Sequence, residues 1–149
     1  MTIGKPSHKP FGYSYLIDGY GCKPGICDDL EVHYRFAEYL TTALGMQPMS
    51  PPIAIHAPVR FNGAERIELF PDKQGVSLWA PLVTSGLQIH SCEPKNFSSL
   101  DCYSCNPFDD RMVLEIFRDY FGFTDYEDHW VERGTKYHAA ARPESTELV

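Results

Sequence analysis

The chain has 149 residues, 43% of them hydrophobic and 22% charged, with a formal net charge of −7. That length suits one domain, 1–149, with a core large enough to fold without disulfides or metals. The acidic excess argues against nucleic acid or an anionic membrane as the main partner, because both need clustered Lys and Arg. No apolar run approaches the length of a membrane span, and the opening MTIGKPSHKPFG lacks the apolar stretch of a secretory signal.

In chain order, residues 1–10 read as a polar, flexible arm interrupted by Pro6 and Pro10. Phe11 to Asp18 predicts a strand, and the run of Gly19, Gly21, Pro24 and Gly25 predicts a loop. Asp28 or Asp29 is a candidate cap for a first helix, with Val32, Phe36, Leu40 and Ala43 or Leu44 as its apolar stripe and Gly45 at its end. Strands are expected over Ile53 to Val59, Arg66 to Phe70, Val76 to Val83, Leu87 to Cys92 and Ser99 to Cys105. Asn106 or Asp109 caps a second helix with core residues Val113, Ile116, Phe117 and Tyr120, ended by Gly122. A last strand is expected over Tyr126 to Glu132, followed by a flexible tail, 135–149. This order predicts an α+β two-layer sandwich, a mainly antiparallel sheet with two helices on one face.

The five cysteines, Cys22, Cys27, Cys92, Cys102 and Cys105, form an odd set in a chain without a secretory signal, which suits reduced thiols in the cytoplasm. Cys102 and Cys105 make a CxxC with no matching second pair, so no metal site is expected.

The chemistry-bearing residues are concentrated between Gly75 and Cys105. Ser77 stands eight residues before Ser85, His90 five after it and Cys105 twenty after it. Singly, each has an ordinary explanation: a Ser-Gly turn, a histidine satisfied on a strand, a small buried thiol. Jointly, in register, they resemble the self-processing region of the prokaryotic S-adenosylmethionine decarboxylases. The resemblance extends to the segment Tyr15 to Cys22, the helix Leu30 to Met46, the helix Phe108 to Phe121 and the final Trp130 to Gly134.

The resemblance implies a self-cleaving zymogen. Ser85 attacks the Thr84 carbonyl, the resulting ester is eliminated, and a pyruvoyl group remains in place of Ser85. Ser77 matches the family's oxyanion donor, His90 its base and Cys105 its proton donor during turnover. The implied activity is decarboxylation of S-adenosylmethionine for polyamine (spermidine) synthesis, by a homodimer of processed chain pairs. The positions that hold the nucleoside depart from the family. Thr84 replaces a glutamate or serine, Gly86 replaces a histidine, and Pro94 stands where a ribose-binding glutamate is usual. Glu93, one residue earlier, and Phe70 are the remaining candidates for substrate binding. Two alternatives follow: a pyruvoyl-dependent ornithine or arginine decarboxylase, and an unprocessed relative that binds a small molecule without catalysis.

Overall fold

The computed structural model describes residues 9–137. Eight strands and two helices follow one another as β1 (Gly12–Tyr20), α1 (Leu30–Ala43), β2 (Ile53–His56), β3 (Val59–Asn62), β4 (Glu65–Glu68), β5 (Val76–Leu82), β6 (Ser85–Cys92), β7 (Phe97–Ser104), α2 (Asp110–Phe121) and β8 (Asp125–Arg133). Six strands form one antiparallel sheet in the order β2-β5-β6-β7-β1-β8. Strands β3 and β4 form a separate hairpin. Both helices pack on one face of the six-stranded sheet, so the α+β two-layer architecture is as expected.

Capping sets the helix limits. Asp29 accepts a hydrogen bond from the Val32 N–H at 3.1 Å, and Asp109 accepts one from the Met112 N–H at 3.1 Å. At the C-terminus of α1, Gly45 takes a left-handed φ of 66°, and the Met46 and Gly45 N–H groups fold back onto the Thr41 and Thr42 carbonyls. The helix therefore stops at Ala43 and does not reach Met46.

Alternation along the strands divides the sheet into two faces. Tyr15, Ile17, Leu78, Ala80, Leu87, Ile89, Leu100 and Cys102 are buried beneath the helices. They meet Phe36, Phe117 and Phe121, whose rings lie 4.9–5.4 Å apart between the two helices. Of the expected α1 stripe, Phe36 and Leu40 are buried and Leu44 packs against the core, but the buried face is broader and takes in His33, Ala37 and Thr41, while Val32 is only half-buried and Ala43 is exposed. Both polar side chains are satisfied there. His33 Nδ1 meets the Asp29 carbonyl and Nε2 meets Ser91 Oγ, each at 2.7 Å, while the Thr41 hydroxyl donates to the Ala37 carbonyl at 2.6 Å.

The strand expected over Ile53 to Val59 is two strands, β2 and β3, broken at Ala57-Pro58 where proline cannot donate to a ladder. Of the two ends expected to be flexible, residues 1–8 and 138–149 lie outside the described residues. Within the described part, Tyr137 packs on Phe11 with ring centres 4.8 Å apart. Among the described residues, no helix is long and apolar enough to cross a membrane.

Candidate active site

Among the described residues, no helix covers the second face of the sheet. Its side chains form transverse rows set by strand register. One row runs Trp79, Gln88, Asp101, Leu16 and His129; the next runs Ser77, His90, Ser99, Asp18 and Glu127. A groove of about 640 Å³ crosses this open face beside Trp79, Gln88, Asp101, Tyr103 and Arg133, and reaches Ser85 and Gly86 at one end. Burial raises the Asp101 carboxyl above its ordinary pKa; Asp18 adds to this, while His90 opposes it.

Ser77 and His90 are direct partners across β5 and β6, and Ser77 Oγ lies 3.0 Å from His90 Nδ1. The other ring nitrogen of His90 contacts the Gln88 side-chain amide nitrogen at 2.6 Å, and the imidazole stands edge-on to Trp79 with centroids 5.9 Å apart. His90 is thus held on three sides, on the open face. Gln88 and Trp79 were not among the sequence candidates. Alternation places Gln88, two residues before His90, on the same face, which is the signal that would have found it.

Ser85 lies elsewhere. It begins β6, five residues before His90, so the two side chains point to opposite faces and sit about 16 Å apart along the strand at roughly 3.3 Å per residue. Its hydroxyl donates to Ser104 Oγ at 2.8 Å, on the helix side of the sheet. Ser104 also accepts the Asn106 N–H at 3.2 Å, and a cavity of about 500 Å³ lined by Met46, Thr84, Ser85, Ser104, Phe108 and Met112 adjoins the pair. The Thr84 carbonyl accepts the Cys105 N–H at 3.1 Å. The structure therefore brings Thr84, Ser85 and Cys105 together, with Ser104 as an addition that register across from Ser85 makes legible. Within the CxxC, Cys102 is fully buried and its thiol is pushed up to about 12, whereas Cys105 is half-buried.

The remaining candidates lie at the far end of β6. Glu93 sits in a short 3-10 turn after that strand, and its Oε1 accepts the Gly25 N–H at 2.7 Å. Phe70 is exposed just before another such turn, Pro71–Lys73. Within one chain, neither approaches Ser85. Among the described residues, no group of three or more His, Cys, Asp or Glu is arranged to hold a metal ion.

The family model described as S-adenosylmethionine decarboxylase matches residues 13–134. Among solved structures, the chain is similar to the adenosylmethionine decarboxylase from Aquifex aeolicus VF5, at 17% identity and a TM-score of 0.66, over 93% of this chain and 99% of that one. No curated protein matches the chain. The structural likeness supports the fold; the match over nearly the whole sheet and both helices shows that the chain belongs to the S-adenosylmethionine decarboxylase family, a family of carboxy-lyases.

Proposed function

We propose that the chain cuts itself between Thr84 and Ser85, carries a pyruvoyl group derived from Ser85, and decarboxylates S-adenosylmethionine in polyamine synthesis as a homodimer. The observation that carries this reading is the meeting of Thr84 and Ser85, at the β5–β6 turn, with Cys105, which follows β7, beside two cavities that both reach Ser85. The neighbourhood of Ser85 fits a pyruvoyl group. The Ser104 hydroxyl stands beside it, and the open groove leaves room for a substrate. When present, that group supplies an electron sink for loss of CO₂ from an amine-bearing substrate.

The chain's own residues divide the work. The Cys105 N–H holds the carbonyl that Ser85 attacks, and Ser104 orients the attacking hydroxyl. The Cys105 thiol is the proposed proton donor during turnover. Ser77 and His90 are already paired for proton handling but lie about 16 Å from Ser85 of their own chain, by strand rise. A second chain laid on the open face would supply them. That face offers Ile53, Ile55, Trp79 and Val131, all exposed, as its apolar contact. All five cysteines are free thiols, which suits a reducing, cytoplasmic setting.

One observation favours a second reading of the substrate. Glu93 Oε1 accepts the Gly25 N–H and its Oε2 is buried, so the carboxylate nearest to the family's ribose-binding position is held away from solvent. Ornithine or arginine needs no ribose contact. Intact mass of freshly purified protein tests cleavage: two chains support it, and a stable full-length chain favours the unprocessed, non-enzymatic relative. Carboxyl-labelled S-adenosylmethionine, ornithine and arginine offered together then identify the substrate by the label released as CO₂.

A further inference from the structure

Thr84 has a φ of 58°, in the left-handed region. Val83 and Thr84 form the two-residue loop between the partners Leu82 and Ser85. Positive φ in such loops is ordinarily supplied by Gly, Asn or Asp. A β-branched residue is unfavourable in the left-handed region. The Thr84 carbonyl, the proposed point of attack, accepts the Cys105 N–H.

The loop cannot turn away to relieve the strain. Before it, Met49 N–H bonds to the Pro81 carbonyl and Val83 N–H to the Gln47 carbonyl, at 3.0 and 2.8 Å. Within it, the Thr84 hydroxyl donates to the Val83 carbonyl at 2.6 Å. After it, Ser85 is fixed by its ladder with β7 and by Ser104. A conformation this costly persists only where its surroundings over-determine it.

We propose that Thr84 is a positioning residue for self-cleavage: its left-handed backbone strains the scissile unit, and the acyl shift onto Ser85 releases that strain. In that step the Ser85 Oγ to Thr84 carbonyl-carbon bond forms, the bond from that carbon to the Ser85 nitrogen breaks, and the hydroxyl proton passes to the departing nitrogen. The peptide link that ties Thr84 to the fixed start of β6 becomes a longer, more flexible ester link through the Ser85 side chain, so the Thr84 backbone is free to relax, while the Cys105 N–H remains a donor to the charge that grows on the carbonyl oxygen. The inference rests on the self-cleavage reading above and adds to it a role for the residue type at position 84.

The test compares Thr84→Asn and Thr84→Gly, which accept left-handed backbone, with Thr84→Val, the conservative variant that keeps the β-branch and drops the hydroxyl. Conversion of one chain to two is followed by intact mass from the time of synthesis. Thr84→Asn and Thr84→Gly are expected to cleave about tenfold more slowly than wild type, and Thr84→Val to retain most of the rate. The same substitutions placed on Ser85→Ala measure strain without cleavage. There Thr84→Asn is expected to raise Tm by roughly 2–4 °C and Thr84→Val to leave it low. Wild-type protein that stays whole overturns the cleavage reading and this inference together. Wild-type protein that cleaves while Thr84→Asn cleaves equally fast, or shows no gain in Tm on Ser85→Ala, overturns this inference alone.

Discussion

Cys105 joins two roles in one residue. Its backbone N–H holds the Thr84 carbonyl, a contact that any residue except proline would make. Its thiol is the proposed donor in turnover, a role that depends on the side chain. Cys105→Ala is therefore expected to convert to two chains at close to the wild-type rate, yet to release CO₂ at least tenfold more slowly once processed. Unchanged steady-state release from a fully processed Cys105→Ala sample counts against the thiol. Ser85→Ala, by contrast, is expected to keep its full-length mass indefinitely, because no nucleophile remains. Ser77, Ser85, His90 and Cys105 were singled out by spacing within the family resemblance; the structure pairs Ser77 with His90 and sets Cys105 against the Thr84–Ser85 turn, and their roles are those proposed above. Ser104 was not singled out, because a serine on a strand carries no pattern until register shows that it faces Ser85; Gln88 was passed over although alternation puts it on the face of His90.

At the scale of elements, α1 holds a titratable group inside the core. His33 is buried, and burial lowers its pKa below the usual 6.5, against smaller opposing effects from Asp29 and Asp28; His56 adds to the lowering. A histidine whose folded pKa is depressed gives stability that is present above its unfolded pKa and lost as pH falls through that value towards the folded one. The Tm of Ser85→Ala protein is expected to fall between about pH 7 and pH 5, and His33→Gln, which takes up no proton there, is expected to flatten that fall. Equal slopes for the two proteins would remove His33 from the account. The helices themselves were legible because Asp29, Asp109, Gly45 and Gly122 mark their ends through local chemistry. The buried face of α1 was legible at Phe36, Leu40 and Leu44, but its polar members were not. The expected stripe counted apolar residues, whereas the core admits His33 and Thr41 because backbone carbonyls and Ser91 satisfy them. The break between β2 and β3 was likewise hidden by an alternation that continues past Pro58.

At the scale of the whole molecule, the distance between His90 and Ser85 makes a cross-chain experiment decisive. A His90→Ala chain keeps Ser85, and a Ser85→Ala chain keeps His90. Produced together, they are expected to yield cleaved His90→Ala chains, although each alone stays whole. Absence of cleavage in the mixture, with mixed dimers present by mass, would show that the two residues do not act across chains. Light scattering of processed protein is expected to give the mass of a dimer of chain pairs at micromolar concentration. Cleavage would also change what the chain is able to do after it unfolds. The piece ending at Thr84 carries β1, β2 and β5, and the piece beginning at position 85 carries β6, β7 and β8. In the sheet order the pieces interleave, with β1 of the first lying between β7 and β8 of the second. Three ladders, β5 to β6, β7 to β1 and β1 to β8, then join separate polypeptides. A cut native molecule would hold together through them, whereas strands that have come apart must find one another by diffusion, with an entropic cost that the single chain did not face. Diluted from denaturant, Ser85→Ala subunits are expected to refold at a rate independent of concentration, and cut protein only at a rate that rises with it. On the proposed self-cleavage, the precursor would in that sense be its own assembly template, used once and erased by the cut.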